Sequence, residues 1–291
     1  MLSQVLGGVM LLYLGVALVF LAAGLWASAS CNRWGRILFV TGLAGHTAAI
    51  LGRWWQSYHL ALSHTPLTLF SEKLRLIILQ APMSNFYESL VFFAWSLPFL
   101  ALVTFRRYMK DYLGMVMAVA ACLLLAYASL GADSSIRPLM PALKSNWLLI
   151  HLLSCFLGYS AFTLGFGVVI LYLVHSHKSH LSLPPLQQLD RLLYQATIIG
   201  FLLLTLGILT GAVWAETAWG KYWSWDPKED ASLLTWFIYA AMLHARLVKG
   251  WQGRRIAWLA IAGFIAVLFT YFGINYVTAL LKIRSEHAYT S

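Results

Sequence analysis

Apolar residues fall into eight long stretches along this chain, at about 5–26, 35–58, 86–105, 112–130, 147–174, 192–214, 231–247 and 256–281. A helix that crosses a bilayer needs about 20 mostly apolar residues, and each stretch is long enough. The pattern predicts an all-α polytopic membrane protein of about eight transmembrane helices. Most of the polar connections are short, with two exceptions. Residues 60–85 combine Pro66, Pro82 and the charged piece Glu72, Lys73 and Arg75 with a Leu-rich stretch at 67–79. That stretch suits an amphipathic helix lying in the membrane interface. Residues 175–190 are polar, hold Pro184 and Pro185, and read as a loop. The expected organisation is an N-terminal helix pair with a long outer loop over 1–80 and a core over 81–291, the core carrying an external Trp-rich loop at 214–229.

Composition agrees with this pattern. Hydrophobic residues make up 60% of the chain and charged residues 10%, against about 25% charged in soluble domains. The net charge of +10 comes from Lys and Arg in short loops between apolar runs. No basic stripe forms, so the charges set topology and no nucleic-acid partner is implied. Lys and Arg divide 11 to 9 between the two sides. The clusters Arg106, Arg107, Lys110 and Arg246, Lys249, Arg254, Arg255 lie tight against helix ends, which places their side in the cytoplasm. An even number of spans then puts both termini outside, together with the Trp-rich loop. The first run lacks a basic leader and a clear cleavage site and is expected to stay as a helix. Cys31, Cys122 and Cys155 form no C-x-x-C pair, which argues against a thiol–disulfide role for this chain.

The chemistry concentrates in W-A-E-T-A-W-G-K-Y-W-S-W-D-P-K-E, residues 214–229. Trp214, Trp219, Trp223 and Trp225 fall within twelve residues, with Tyr222 among them. An aromatic belt at the membrane interface accounts for one or two of them. The density, together with Gly220, points to a flat aromatic platform for a large planar ligand such as a porphyrin. Asp226, Pro227 and Glu229 match an N-cap, a first helical position and the third position of a capping box. The same helix N-terminus attracts an anion such as a haem propionate.

Imidazole is the usual nitrogen ligand to haem iron. His151 lies near the outer end of its run, with Cys155 and Gly158 on the same helical face. His287 follows the last run on the same side. Two histidines flanking an aromatic platform on one side suit bis-histidine ligation. His46 and His244 lie within apolar runs, where an ionisable group is a functional candidate by default. His175, His177 and His180 have no Cys or carboxylate with them and read as solvated, and His59 and His64 carry no motif.

W-G-K-Y-W-S-W-D-P-K-E resembles the tryptophan-rich WWD signature of haem-handling proteins of cytochrome c biogenesis. The segments at 81–90 (A-P-M-S-N-F-Y-E-S-L), 148–162, 236–246 and 272–277 (F-G-I-N-Y-V) are similar to the CcsA branch of System II. The tail reads H-A-Y-T-S where the family usually has H-S-Y-G, and the 60–81 segment is unusual. The resemblance implies that haem b is carried as substrate from a transmembrane site, with His244 as a ligand, to an external site held by His151 and His287. There its vinyl groups are joined to the C-x-x-C-H thiols of an apocytochrome c. It implies a CcsB/ResB-type membrane partner, the usual source of the second transmembrane ligand, which leaves His46 open. A thiol-reducing protein and a bacterial cytoplasmic membrane, ahead of a thylakoid, are further expectations. The alternatives are haem delivery to a chaperone without ligation, as in the CcmC type, and a transporter or a structural subunit that binds no haem.

Overall fold

The computed structural model describes residues 2–26, 28–64, 69–83, 85–105, 112–136, 143–177 and 183–282. Its helices are α1 (Leu2–Trp26), α2 (Ala29–His64), α3 (Phe70–Leu79), α4 (Phe86–Phe105), α5 (Tyr112–Gly131), α6 (Asn146–His177), α7 (Leu186–Trp219), α8 (Pro227–Lys249), α9 (Arg254–Leu268) and α10 (Ile274–Leu281). A single π-helical turn, Phe269–Gly273, joins α9 to α10. Among the described residues, eight helices are long and apolar enough to cross a membrane, counting α9, the π turn and α10 as one. No strand occurs among the described residues.

Several helices run past the apolar stretches. The 34 residues of α7 extend about 51 Å at 1.5 Å per residue, against a hydrocarbon core of about 30 Å. The helical backbone satisfies its own hydrogen bonds and can continue into the polar region until a residue breaks it. Trp219, expected in a loop, is therefore a helical residue in the last turn of α7, and Trp214, expected where the span ends, lies inside the helix. The loop expected to begin at residue 175 likewise starts later, because α6 continues to His177. From Phe70 to Leu79 the Leu-rich stretch is helical as α3, and none of the side chains of α3 is buried. It leans on α2, where Trp54 Nε1 donates to the Ile77 carbonyl at 2.6 Å and Ser57 Oγ to Gln80 Oε1 at 2.8 Å.

Helices α4 and α6 sit at the centre, with 72% and 67% of their apolar windows buried; α8 is peripheral at 22%. α7 lies along α6, and α1 packs against α2 and α5. Midway through the bundle Phe162 of α6 stacks on Tyr239 of α8, ring centroids 3.6 Å apart. Two charge clusters, one buried and one half-buried, pin opposite ends. Arg53 of α2, 5% exposed, donates to Glu88 of α4 at 2.8 Å and to the carbonyls of Ser134 and Ser135 beyond α5. At the other end Arg246 of α8 pairs through both terminal nitrogens with Asp190 of α7, which also accepts from the Gly253 N–H at 3.3 Å. Neither cluster was apparent from the sequence. An opposite charge near the end of each of two apolar runs was the available signal.

Candidate functional site: a histidine and aromatic cavity

α7 stops at Gly220, whose φ of +73° favours glycine; its N–H donates to the Glu216 carbonyl at 2.8 Å. After a short turn, Asp226 caps α8 and Pro227 takes its first position. The capping box is present as the sequence pattern predicts. Asp226 Oδ1 accepts from the Lys228 N–H at 2.9 Å, and Glu229 Oε2 accepts from the Asp226 N–H at 3.1 Å. Glu229 Oε2 also accepts from the Ser224 N–H at 2.8 Å. The one carboxylate therefore clamps the backbone on both sides of Trp225, which is held at a left-handed φ of +58°. A bulky residue rarely takes this conformation, and it costs about 1–3 kcal/mol.

His151, in the second turn of α6, faces α7. Its Nδ1 lies 2.7 Å from the Gly207 carbonyl oxygen. A carbonyl only accepts, so Nδ1 carries the proton and the ring lone pair belongs to Nε2. Trp214 lies nearly parallel to the imidazole, centroids 6.1 Å apart at 20°, and Trp219 packs against Trp214 at 4.6 Å. Cys155 Sγ is 3.7 Å from His151 Nδ1, as the shared helical face predicts.

These elements surround a cavity of about 760 Å³, counted out to its solvent-open mouth. His151, Cys155 and Tyr159 of α6 form one wall, and Tyr222, Trp223, Lys228 and Glu229 form another. The π turn contributes Thr270 and Tyr271. Thr270 Oγ1 bonds to the Ala266 and Ala231 carbonyls, tying the turn to α8, and the Tyr271 hydroxyl meets Ser89 Oγ of α4 at 2.8 Å. π turns often occur at functional sites. Nothing in F-T-Y-F-G announces one, and these two residues escaped sequence reasoning.

The structure separates the predicted site residues. His151, Tyr222 and Trp223 line the cavity, while Trp214 and Trp219 stack behind the histidine. Tyr222 is 61% exposed where it lines the cavity, while Trp225, 70% exposed, is not among the lining residues. His244 does not line the cavity. It lies twelve residues beyond Ser232, a cavity residue, which is about 18 Å along α8. His244 is exposed on the outward side of that helix. His46 is fully buried with Nδ1 3.3 Å from the Tyr13 hydroxyl. It does not line the cavity; it sits on α2, away from α8, with its Nε2 buried and not hydrogen-bonded. His287 lies outside the described residues.

Residues 83–282 match the family described as Cytochrome C assembly protein. The cytochrome c biogenesis protein CcsA of Synechococcus sp. (strain CC9605) is 33% identical, the match covering 92% of this chain and 91% of that protein. CcsA of Chlamydomonas reinhardtii is 42% identical over 67% of this chain, which spans 58% of the algal protein. Among solved structures, the cytochrome c haem lyase CcmF shares the fold with a TM-score of 0.67 at 21% identity, over 93% of this chain and 45% of that one. The chain belongs to the CcsA-type cytochrome c biogenesis proteins of the cytochrome c assembly family.

Proposed function

We infer that this protein carries haem b across its membrane and presents it in the α6–α8 cavity for attachment to an apocytochrome c. The observation that carries this reading is His151. Its Nδ1 proton is fixed on the Gly207 carbonyl at 2.7 Å, in the wall of a cavity that also takes the rings of Phe156, Tyr159, Tyr222, Trp223 and Tyr271. That arrangement supports Nε2 as an iron ligand, with Trp223 and Tyr222 against the macrocycle and the exposed Trp225 closing over its edge. Lys228 lies in the same wall and suits a propionate, with Glu229 beside it already engaged with the backbone N–H groups of Ser224 and Asp226. His287 supplies the second external ligand. His244, on the outward face of α8, ligates haem at a transmembrane site completed by a CcsB/ResB-type partner.

Attachment needs little acid–base machinery from this chain. Each cysteine S–H of a C-x-x-C-H segment adds across a vinyl C=C, the sulfur bonding to one carbon and the hydrogen to the other. No net electrons move, but the thiols must be reduced, which calls for a thiol-reducing protein. The cavity orients haem and holds its iron while the substrate's own groups react. The cavity side faces the exterior of a bacterial cytoplasmic membrane. Together with its partner, the chain acts as the haem-ligating half of a synthase.

The test is co-expression with the partner and an apocytochrome, followed by haem staining of a denaturing gel. Wild type yields haem-stained cytochrome, and His151→Ala yields at least tenfold less. Undiminished product with His151→Ala contradicts the assignment. Haem bound to the chain with no covalent product favours delivery without ligation.

A further inference from the structure

The position of His151 depends on the bare backbone of α7. A β-carbon at Gly211 would lie 2.5 Å from His151 Nδ1 and 2.8 Å from Cε1. One at Gly207 would lie 2.5 Å from Cys155 Sγ and 3.3 Å from the Cys155 nitrogen. All three side-chain distances are closer than real β-carbons approach. Gly207 also provides the carbonyl that takes the Nδ1 proton. The same two positions thus set how near α7 comes, where the ring lies and which nitrogen it offers.

We propose that Gly207 and Gly211 are positioning residues for haem, acting through His151. The inference rests on His151 being an iron ligand. Gly211 leaves the space in which the imidazole lies flat beside Trp214. Gly207 brings a carbonyl against Nδ1, which fixes the tautomer and makes the ring a stronger donor. A stronger donor favours ferric iron, so a lengthened bond raises the haem midpoint potential.

The helix seam alone would also need small residues, so the test reads the ligand rather than the fold. Gly207→Ala is measured in the natural chain and in a Cys155→Ala background, by haem titration and redox titration of the purified protein with its partner. Groups that orient a metal ligand are worth about ten- to a hundredfold in affinity. Gly207→Ala is expected to lose that much in the natural chain and to raise the midpoint potential. With the Cys155 sulfur removed, the added methyl keeps only the tight contact to the residue 155 backbone nitrogen at 3.3 Å, and the same substitution is expected to cost several-fold less than in the natural chain. Gly211→Ala, whose methyl meets only the His151 ring and no backbone, loses haem to a similar extent in either background while the chain stays folded and monodisperse. Equal loss from Gly207→Ala in both backgrounds, or wild-type affinity and potential in both alanine variants, overturns the proposal. A His151→Ala control with unchanged haem spectrum overturns the ligand assignment itself, and the proposal with it.

Discussion

Glu229 holds the turn at the cavity mouth, and its removal tests whether that turn matters. Its Oε2 accepts from the backbone N–H groups of Ser224 and Asp226, at 2.8 and 3.1 Å. A hydrogen bond to a charged group contributes about 1.5–3 kcal/mol. Ser224 is exposed, so water replaces most of its share; Asp226 is buried. Trp225, between them, is free to relax its left-handed backbone once the clamp is gone, which favours the disordered turn by about 1–3 kcal/mol. Allowing for overlap, Glu229→Ala costs the ordered turn roughly 2–4 kcal/mol. If haem binds only the ordered turn, the loss in affinity has a ceiling of roughly 30- to 700-fold, at about 1.4 kcal/mol per tenfold. Glu229→Gln keeps an acceptor oxygen without its charge, and a neutral bond is about half as strong. It should lose roughly 5- to 30-fold. Hydrogen exchange over residues 220–229 and haem titration of the same samples measure both quantities. Unchanged exchange in Glu229→Ala, with haem affinity within twofold of wild type, would refute the reasoning.

Arg53→Ala strands the Glu88 carboxylate in the bundle. Breaking a buried pair from one side costs about 3–5 kcal/mol, so the midpoint of unfolding by sodium dodecyl sulfate in mixed micelles should fall. Arg53→Met with Glu88→Leu should recover more than half of that loss. Trp214→Leu removes the ring beside His151. At about 0.5–1.5 kcal/mol for an aromatic contact, haem affinity should drop roughly 2- to 12-fold without loss of helix by circular dichroism. Trp225→Gly suits a φ of +58°. The variant should be no less stable than wild type in the same detergent titration, yet bind haem more weakly.

The eight spans were legible because lipid exposure demands long apolar runs whatever the tertiary packing. The α8 cap was legible because Asp226, Pro227 and Glu229 act locally, within one turn. The aromatic cluster marked the right region but not its division. Whether a Trp stacks behind the histidine, lines the cavity or stands at its mouth depends on where α7 ends, and hydrophobicity does not register Thr217 or Glu216 continuing a helix. His151 could be singled out by position, whereas Gly207 and Gly211 could not, because their contribution is an interhelical distance. Likewise the contact between Tyr271 and Ser89 spans 182 residues and leaves no local pattern.

The measurement that tests the account most directly is the reduced absorption spectrum of the purified chain with its partner, comparing wild type with His151→Ala, His287→Ala and His244→Ala. The account predicts sharp low-spin α and β bands in wild type, weakened by His151→Ala and His287→Ala through the external site and by His244→Ala through the transmembrane one. No stoichiometric haem in wild type, or a His151→Ala spectrum identical to it, would contradict the account.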